Sequence, residues 1–440
     1  MSGQSWSGHT FWLVGPRTVE LSGKSALRFV IPPLAEIQVK GEFVTRNSPF
    51  FDCVPNLNRR FSYNPWGIPD AMPPESLKLY RMVNGRRSAL RADRDYRLDN
   101  PSFGGIKFLK PEKFAADDVF MDYQVRYQRV DCLAADDAGT VRLFCGKESL
   151  VCARIPLLPA GWNAICRIYS HRCAELGEDD LLPVSERRYG RLLNYEMKQD
   201  AEARMPDDWF GAAQPEHPDA IQLYTRQLDY RAAAAYAPAA AEALRRRLRE
   251  QKQFTLVYFG DSVTMGGDVP NDLRFPRRLN GWLQKQYPQI RFNCPNSSIG
   301  GTNSTCGRER FAADVLAYHP DAVTVMFPLN DHWMADADWL TNHRYFVDGL
   351  RKINAIPIFM TSNAMTRSWS KNFDHTIDRI RTFCADEKII LIDVYRLWTL
   401  MKDYGIPYET LLANGINHPD SVATGMFFEA LKRLFGGNDL

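Results

Sequence analysis

Four short stretches hold residue types that could carry out acyl chemistry. The first is Gly260-Asp261-Ser262, directly after the apolar run 254–259. A serine at the end of a strand and the start of a helix can cap that helix, or it can be a nucleophile whose own N–H points outward. The second is Asn296-Ser-Ser-Ile-Gly300-Gly301, in which paired glycines make a turn or let backbone N–H groups approach a ligand closely. The third is Asn330-Asp331-His332, ordinary turn chemistry that also offers an amide side chain as an oxyanion donor. The fourth is Asn414-Gly-Ile-Asn-His418-Pro419-Asp420, where a histidine could titrate without a role or could activate a serine. Each stretch alone stays ambiguous.

The elements around them are what must bring such residues together. Apolar strands are expected at 254–259, 290–294, 322–327, 356–361 and 388–394, with helical spacing between them, as in 339–353 and 373–386. Near-continuous apolar strands alternating with helices predict a parallel sheet covered on both faces. Sites in such sheets form beyond the carboxyl ends of the strands, where the four stretches fall.

Taken in order, Ser262 after the first strand, Gly300-Gly301 after the second, Asn330-Asp331 after the third and His418-Pro419 before the last helix resemble the SGNH (GDSL-like) hydrolase family. The resemblance covers roughly residues 252 to 435. It implies a flavodoxin-like three-layer α/β/α domain with five parallel strands. It also implies that Ser262 attacks an ester carbonyl while His418 takes its proton and returns it to the leaving alcohol. The oxyanion would be held by the N–H groups of Ser262 and Gly301 and by the Asn330 side chain, one such donor being worth about 3 to 4 kcal/mol of barrier.

The chain departs from the family pattern at two positions. Pro328 stands where the family has glycine, two residues before the Asn-Asp pair. Gly415 stands where the family has the triad acid, three residues before the histidine. The histidine is therefore expected to be oriented by a backbone carbonyl or by Asn414, Asp420 or Asp393. Asp261 is expected to order the loops by hydrogen bonds to backbone N–H groups, with substrate lining as its alternative, and His332, Trp333 and Trp369 are candidates for lining the substrate, the tryptophans by stacking on a sugar ring.

The front half reads differently. Segments 25–31, 119–127 and 140–144 alternate apolar and polar residues and are separated by turn signals such as Asn84-Gly, Asp99-Asn-Pro, Ala138-Gly and Pro159-Ala-Gly. A jelly-roll-like β-sandwich is expected over 1–170, a linker or wrapping segment over 171–219, and the hydrolase domain over 220–440, led by a helix at 220–251 that Pro238 kinks or splits.

A formal net charge of +3 over 440 residues gives no electrostatic case for nucleic acid or membrane binding. The nine cysteines are odd in number and hold no Cys-x-x-Cys pair, so neither a disulfide framework nor a metal site is expected, and no cofactor is. The first twenty residues lack a signal-peptide pattern, which reads as cytoplasmic unless a leader has been removed. The sequence thus predicts a metal-independent serine esterase acting on a small-molecule or glycan ester, with small acyl groups on carbohydrate favoured. The alternatives are an O-acyltransferase using the same serine and an inactive glycan-binding protein. Oligomeric state is not readable from the sequence.

Overall fold

The computed structural model describes residues 4–6, 9–22, 26–43, 70–100, 105–110, 119–150, 153, 155–156, 158–172, 175–184, 233–235, 237–367, 369–403 and 405–436. The chain divides into two compact units. One comprises Met1–Ala213 with Met401–Ile416, the other Gln214–Leu400 with Asn417–Leu440.

The first unit is built of antiparallel strands. Gln4–Trp6, His9–Gly15, Thr18–Ser22 and Leu27–Val30 pair in sequence order. A second sheet runs Glu36–Phe43, Val119–Arg126, Lys78–Val83, Arg86–Ala89, and a third Val141–Phe144, Gln128–Asp136, Trp162–His171, Leu181–Pro183. Val119–Arg126 buries every second side chain, as a half-buried strand must. Phe11, Val19 and Leu21 of the first sheet, with Ile31 just past its last strand, pack with Leu133, Ile165, Ile168 and Leu181 of the third, giving the face-to-face core of a sandwich. Asn84-Gly85 makes its expected hairpin turn, both residues having positive φ. Asp99 and Asn100 do not turn; they close the strand Tyr96–Asn100, which pairs with Gly105–Phe108 across a register shift.

Part of the expected linker belongs to this unit. Asp179 and Asp180 lie in a 3₁₀ turn, and Leu181–Pro183 adds a strand to the third sheet. The acidic pair begins a turn because the Asp180 carboxylate accepts the Gly177 N–H. Its other signals, Pro206-Asp-Asp and Gln214-Pro-Glu-His-Pro, lie outside the described residues.

In the second unit α1 is Pro238–Glu250, followed by β1 Gln253–Gly260, α2 Ser262–Met265, α3 Phe275–Gln286, β2 Arg291–Asn293 and α4 Ser304–Asp314. Then come β3 Ala322–Met326, α5 Pro328–Asp331, α6 Asp336–Lys352, β4 Ile356–Met360, α7 Phe373–Asp386, β5 Ile390–Ile392, α8 Val394–Asp403, whose end from Met401 clusters with the first unit, and α9 Thr424–Gly436. The five strands are parallel in the order β2-β1-β3-β4-β5, the flavodoxin-like order. The leading helix differs from expectation. Pro238 starts it at the first helical position, where the missing N–H costs nothing, while Ala234–Ala235 pair antiparallel with β5. Residues 220–232 lie outside the described set.

β3 and the carboxyl half of β1 are buried on both faces. Val257, Phe259, Val323 and Val325 pack against Phe311, Phe346 and Leu350 from α4 and α6. β1 sits at the switch point of the sheet, so loops from β2 and β3 flank its carboxyl end.

Candidate active site

Gly260 is where β1 must end closely against its neighbour. A Cβ there would lie 2.4 Å from Thr264 Oγ1 and 2.6 Å from the Met326 carbonyl oxygen, so no larger residue fits. The Asp261 N–H donates to that same Met326 carbonyl at 3.2 Å, and its Oδ1 accepts the Val263 N–H at 3.0 Å. Asp261 is therefore the cap of α2, and Ser262 is its first residue. Relieved of capping, the Ser262 hydroxyl reaches elsewhere: Oγ lies 2.7 Å from Nε2 of His418.

The chain then turns back on itself. Gly266, at φ +75°, ends α2 in the left-handed conformation and donates to the carbonyls of Ser262 and Val263. Gly267 donates to the Ser262 carbonyl, and Val269 to Gly266. Arg274 packs its stem against Gly266 and donates Nε to the Val269 carbonyl at 3.0 Å. Inside this braced turn sits Asp268, whose Oδ2 accepts the hydrogen bond of His418 Nδ1. Both side chains are largely buried, with 7% and 19% exposure.

His418 is fixed from the other side as well. Asn363, fully buried after β4, donates to the Asn417 carbonyl at 2.7 Å. Asp420 accepts the Ala423 N–H at 2.7 Å and so caps the turn into α9. With Nδ1–H donating to Asp268, Nε2 carries the lone pair and accepts the Ser262 O–H.

The second loop is tied along β1. Ser297 N–H donates to the Tyr258 carbonyl, Ile299 N–H to Gly260, and Asn296 Nδ2 to the Thr264 carbonyl. This brings the glycines to the serine: a Cβ on Gly300 would lie 3.6 Å from Ser262 Cβ, while one on Gly301 would meet open space. The third loop starts as a helical turn, with buried Pro328 at the first position of α5. The glycine-to-proline departure is absorbed there, since that position needs no N–H. Asn330 Nδ2 donates to Asp261 Oδ2 at 3.3 Å and to the Thr302 carbonyl at 3.2 Å. Behind it, buried Asp331 accepts the Ser304 N–H at 2.8 Å, tying the third loop to the start of α4.

Several sequence expectations are corrected here. The orienting partner expected in a backbone carbonyl, Asn414, Asp420 or Asp393 is instead the Asp268 carboxylate, which meets Nδ1. Asp393 is engaged by the Thr361 hydroxyl and by Arg381, and Asn414 accepts the Ile416 N–H. Gly415, in the position of the family's acid, takes φ +68° and belongs to the segment that clusters with the first unit. Asp261 is fully buried and His332 is 6% exposed, so neither lines an open surface. His332 donates Nδ1–H to the Leu329 carbonyl at 2.6 Å with its ring against Trp333 and Phe373. Trp333 is 66% exposed, and Trp369 lies half-buried between β4 and α7. The missed Asp268 had one signal, a carboxylate directly after Gly266-Gly267, but nothing in the sequence pointed it at a histidine 150 residues away.

Burial sets the protonation of this neighbourhood. It pushes the Asp261 carboxyl up to about 7, against the opposing hydrogen bond from Val263, and the Asp331 carboxyl up to about 6. It pushes His332 down to about 4 and His343 down to about 3, leaving both neutral.

Residues 258–422 match the model of the GDSL-like Lipase/Acylhydrolase family. The match to this family thus lies within the C-terminal half of the chain. No curated protein sequence matches the chain. Among solved structures it is similar to a two-domain esterase active on acetylated mannans, at 16% identity and TM-score 0.41. That match covers 48% of this chain and 56% of the other, so the chain spans little more than half of that protein's length. A variant of an acetyl xylan esterase from Geobacillus stearothermophilus matches at 19% identity and TM-score 0.38, covering 42% of this chain and 96% of that one. A putative lipolytic protein of the G-D-S-L family from Desulfitobacterium hafniense DCB-2 matches at 21% identity and TM-score 0.35, covering 41% and 98%. The GDSL-like domain begins within β1 and includes the serine, glycine, asparagine and histidine loops described above.

Proposed function

We propose that the GDSL-like domain hydrolyses carboxylic esters through an acyl-serine intermediate at Ser262. The observation that carries the proposal is the 2.7 Å approach of Ser262 Oγ to His418 Nε2. In the first half-reaction Oγ bonds to the ester carbonyl carbon while its proton passes to Nε2. The carbonyl oxygen becomes an oxyanion, held by the N–H groups of Ser262 and Gly301 and by Asn330 Nδ2, which turns one of its two N–H groups from the Thr302 carbonyl to the oxyanion. Collapse breaks the bond to the alcohol oxygen, which takes the proton from His418. A water then repeats the sequence on the acyl-serine, freeing the acid and restoring Oγ–H.

The preferred substrate in this reading is a small acyl group, acetyl foremost, carried on a carbohydrate. Met265 beside the serine supports a small acyl group, since its Cε lies only 3.3 Å from where a Cβ on Gly300 would stand. Exposed Trp333, three residues after Asn330 and tilted against the His332 ring, supports a sugar as the other half.

Hydrolysis of p-nitrophenyl acetate, butyrate and octanoate by the wild type and by Ser262→Ala tests this. Acetate turnover that exceeds the longer esters and disappears in the variant is the expected result. Turnover that survives the substitution would sink the serine mechanism.

A further inference from the structure

We infer that Asp268 is the acid of this active site, so that nucleophile and acid both come from the single loop after β1 and only the histidine is brought from afar. The inference rests on the serine reading above and departs from the family pattern, in which the acid precedes the histidine by three residues.

The geometry carries it. Asp268 Oδ2 bonds to Nδ1 of the same imidazole whose Nε2 meets Ser262 Oγ. The contact is shielded, since the carboxylate is 7% and the imidazole 19% exposed, so it is not a screened surface pair. The turn holding Asp268 is built for the purpose. Its left-handed corner is Gly266, whose Cβ would strike Arg274 Cγ at 2.6 Å, and Gly267 passes so near the imidazole that its Cβ would lie 3.9 Å from His418 Cε1. Residues 266–269 are closed by backbone hydrogen bonds to Ser262, Val263 and Gly266 and braced by Arg274. The nucleophile and Asp268 thus belong to one braced unit seven residues long. The position the family uses is Gly415, which has no side chain to offer.

Asp268 acts through His418 and touches no reacting atom, so it is a positioning residue. Its carboxylate keeps the proton of neutral His418 on Nδ1, leaving Nε2 free to accept from Ser262, and it stabilises the imidazolium that forms when Oγ attacks. No proton transfers to Asp268.

The test compares wild type, Asp268→Asn, Asp268→Glu and Ser262→Ala in p-nitrophenyl acetate turnover, with ¹⁵N-histidine NMR of each protein. Asp268→Asn is expected to lower kcat by about 10³- to 10⁴-fold with KM little changed, by analogy with loss of the acid in serine-protease triads. In the wild type the His418 ¹⁵N shifts should show Nδ1 protonated, with a strongly downfield Nδ1 proton, and in Asp268→Asn a mixture of tautomers. Asp268→Glu should recover part of the rate. Asp268→Asn within threefold of wild-type kcat, with an unmixed tautomer, would overturn the inference while the loss of turnover in Ser262→Ala left the serine reading standing. Turnover unaffected in Ser262→Ala would instead remove the serine reading. If Asp268→Asn does not fold, the wild-type spectrum decides: Nδ1–H supports the assignment and Nε2–H overturns it.

Discussion

Asn330 donates its side-chain N–H to the buried Oδ2 of Asp261 at 3.3 Å, while Oδ1 of the same carboxyl caps α2 through the Val263 N–H. One fully buried carboxyl therefore sets the start of the helix that carries Ser262 and the orientation of the amide proposed as an oxyanion donor. Asp261→Ala is expected to lower kcat by at least tenfold on p-nitrophenyl acetate with a smaller change in KM, because it frees Asn330 without removing it. An unchanged kcat in a folded variant would mean that Asn330 is held by the Thr302 carbonyl alone.

Asp261 also gives stability a pH dependence. Its folded pKa, near 7, lies above the ordinary 3.8. Between about pH 4 and pH 7 the folded protein thus binds a proton that the unfolded chain has released, and stability falls as pH rises through that window. His332 and His343 have the opposite slope, since the unfolded chain protonates near pH 6.5 and the folded protein does not until about 4 and 3. Chemical denaturation of wild type and Asp261→Asn at pH 5 and pH 8 separates the two. The variant's stability relative to wild type should improve on going to pH 8, by about 1.4 kcal/mol for each pH unit between 5 and the folded pKa near 7. Equal differences at both pH values would show that Asp261 ionises normally.

Removing a proposed oxyanion donor should cost rate rather than binding. Asn330→Ala is expected to reduce kcat by about 10²- to 10³-fold, the loss of one preorganised donor. Steady-state kinetics on the acetate ester reads it, and a rise in KM with kcat preserved would place Asn330 in ground-state binding instead.

Two glycines make a paired stability test. Gly260→Ala puts a Cβ 2.6 Å from the Met326 backbone oxygen, which cannot swing aside, and should destabilise by about 1 to 3 kcal/mol. Gly281→Ala, in the middle of α3 with nothing within 4 Å of its Cβ, should stabilise by up to about 1 kcal/mol. Thermal melts of both variants check the contrast, and a tolerated Gly260→Ala would mean that β1 and β3 can separate at their carboxyl ends.

Trp333 is the exposed aromatic nearest in sequence to the third loop, and Trp333→Ala should raise KM for an acetylated oligosaccharide while leaving kcat/KM for p-nitrophenyl acetate within about threefold. Equal effects on both substrates would assign the tryptophan to the loop's structure and not to a sugar.

The sequence by itself determined the domain's frame and where four of its loops fall in it. Apolar runs such as 254–259 and 322–327 are read directly, because a parallel strand buried on both faces has no polar positions to confuse its pattern. Ser262, Gly301, Asn330 and His418 were visible because each sits at a fixed place relative to those runs. Only the tertiary structure decided what each side chain touches. Asp261, adjacent to the serine, turned inward as a cap because a fully buried N–H at the start of α2 needed an acceptor. The partner of His418 depended on a left-handed turn at Gly266 that swings Asp268 across to a residue 150 positions later. Hydrophobic periodicity records which face of an element is buried and is silent on which distant loop a carboxylate will meet. That pairing is fixed by strand order, since β1 lies between β2 and β3 and its loop is the one the histidine segment reaches.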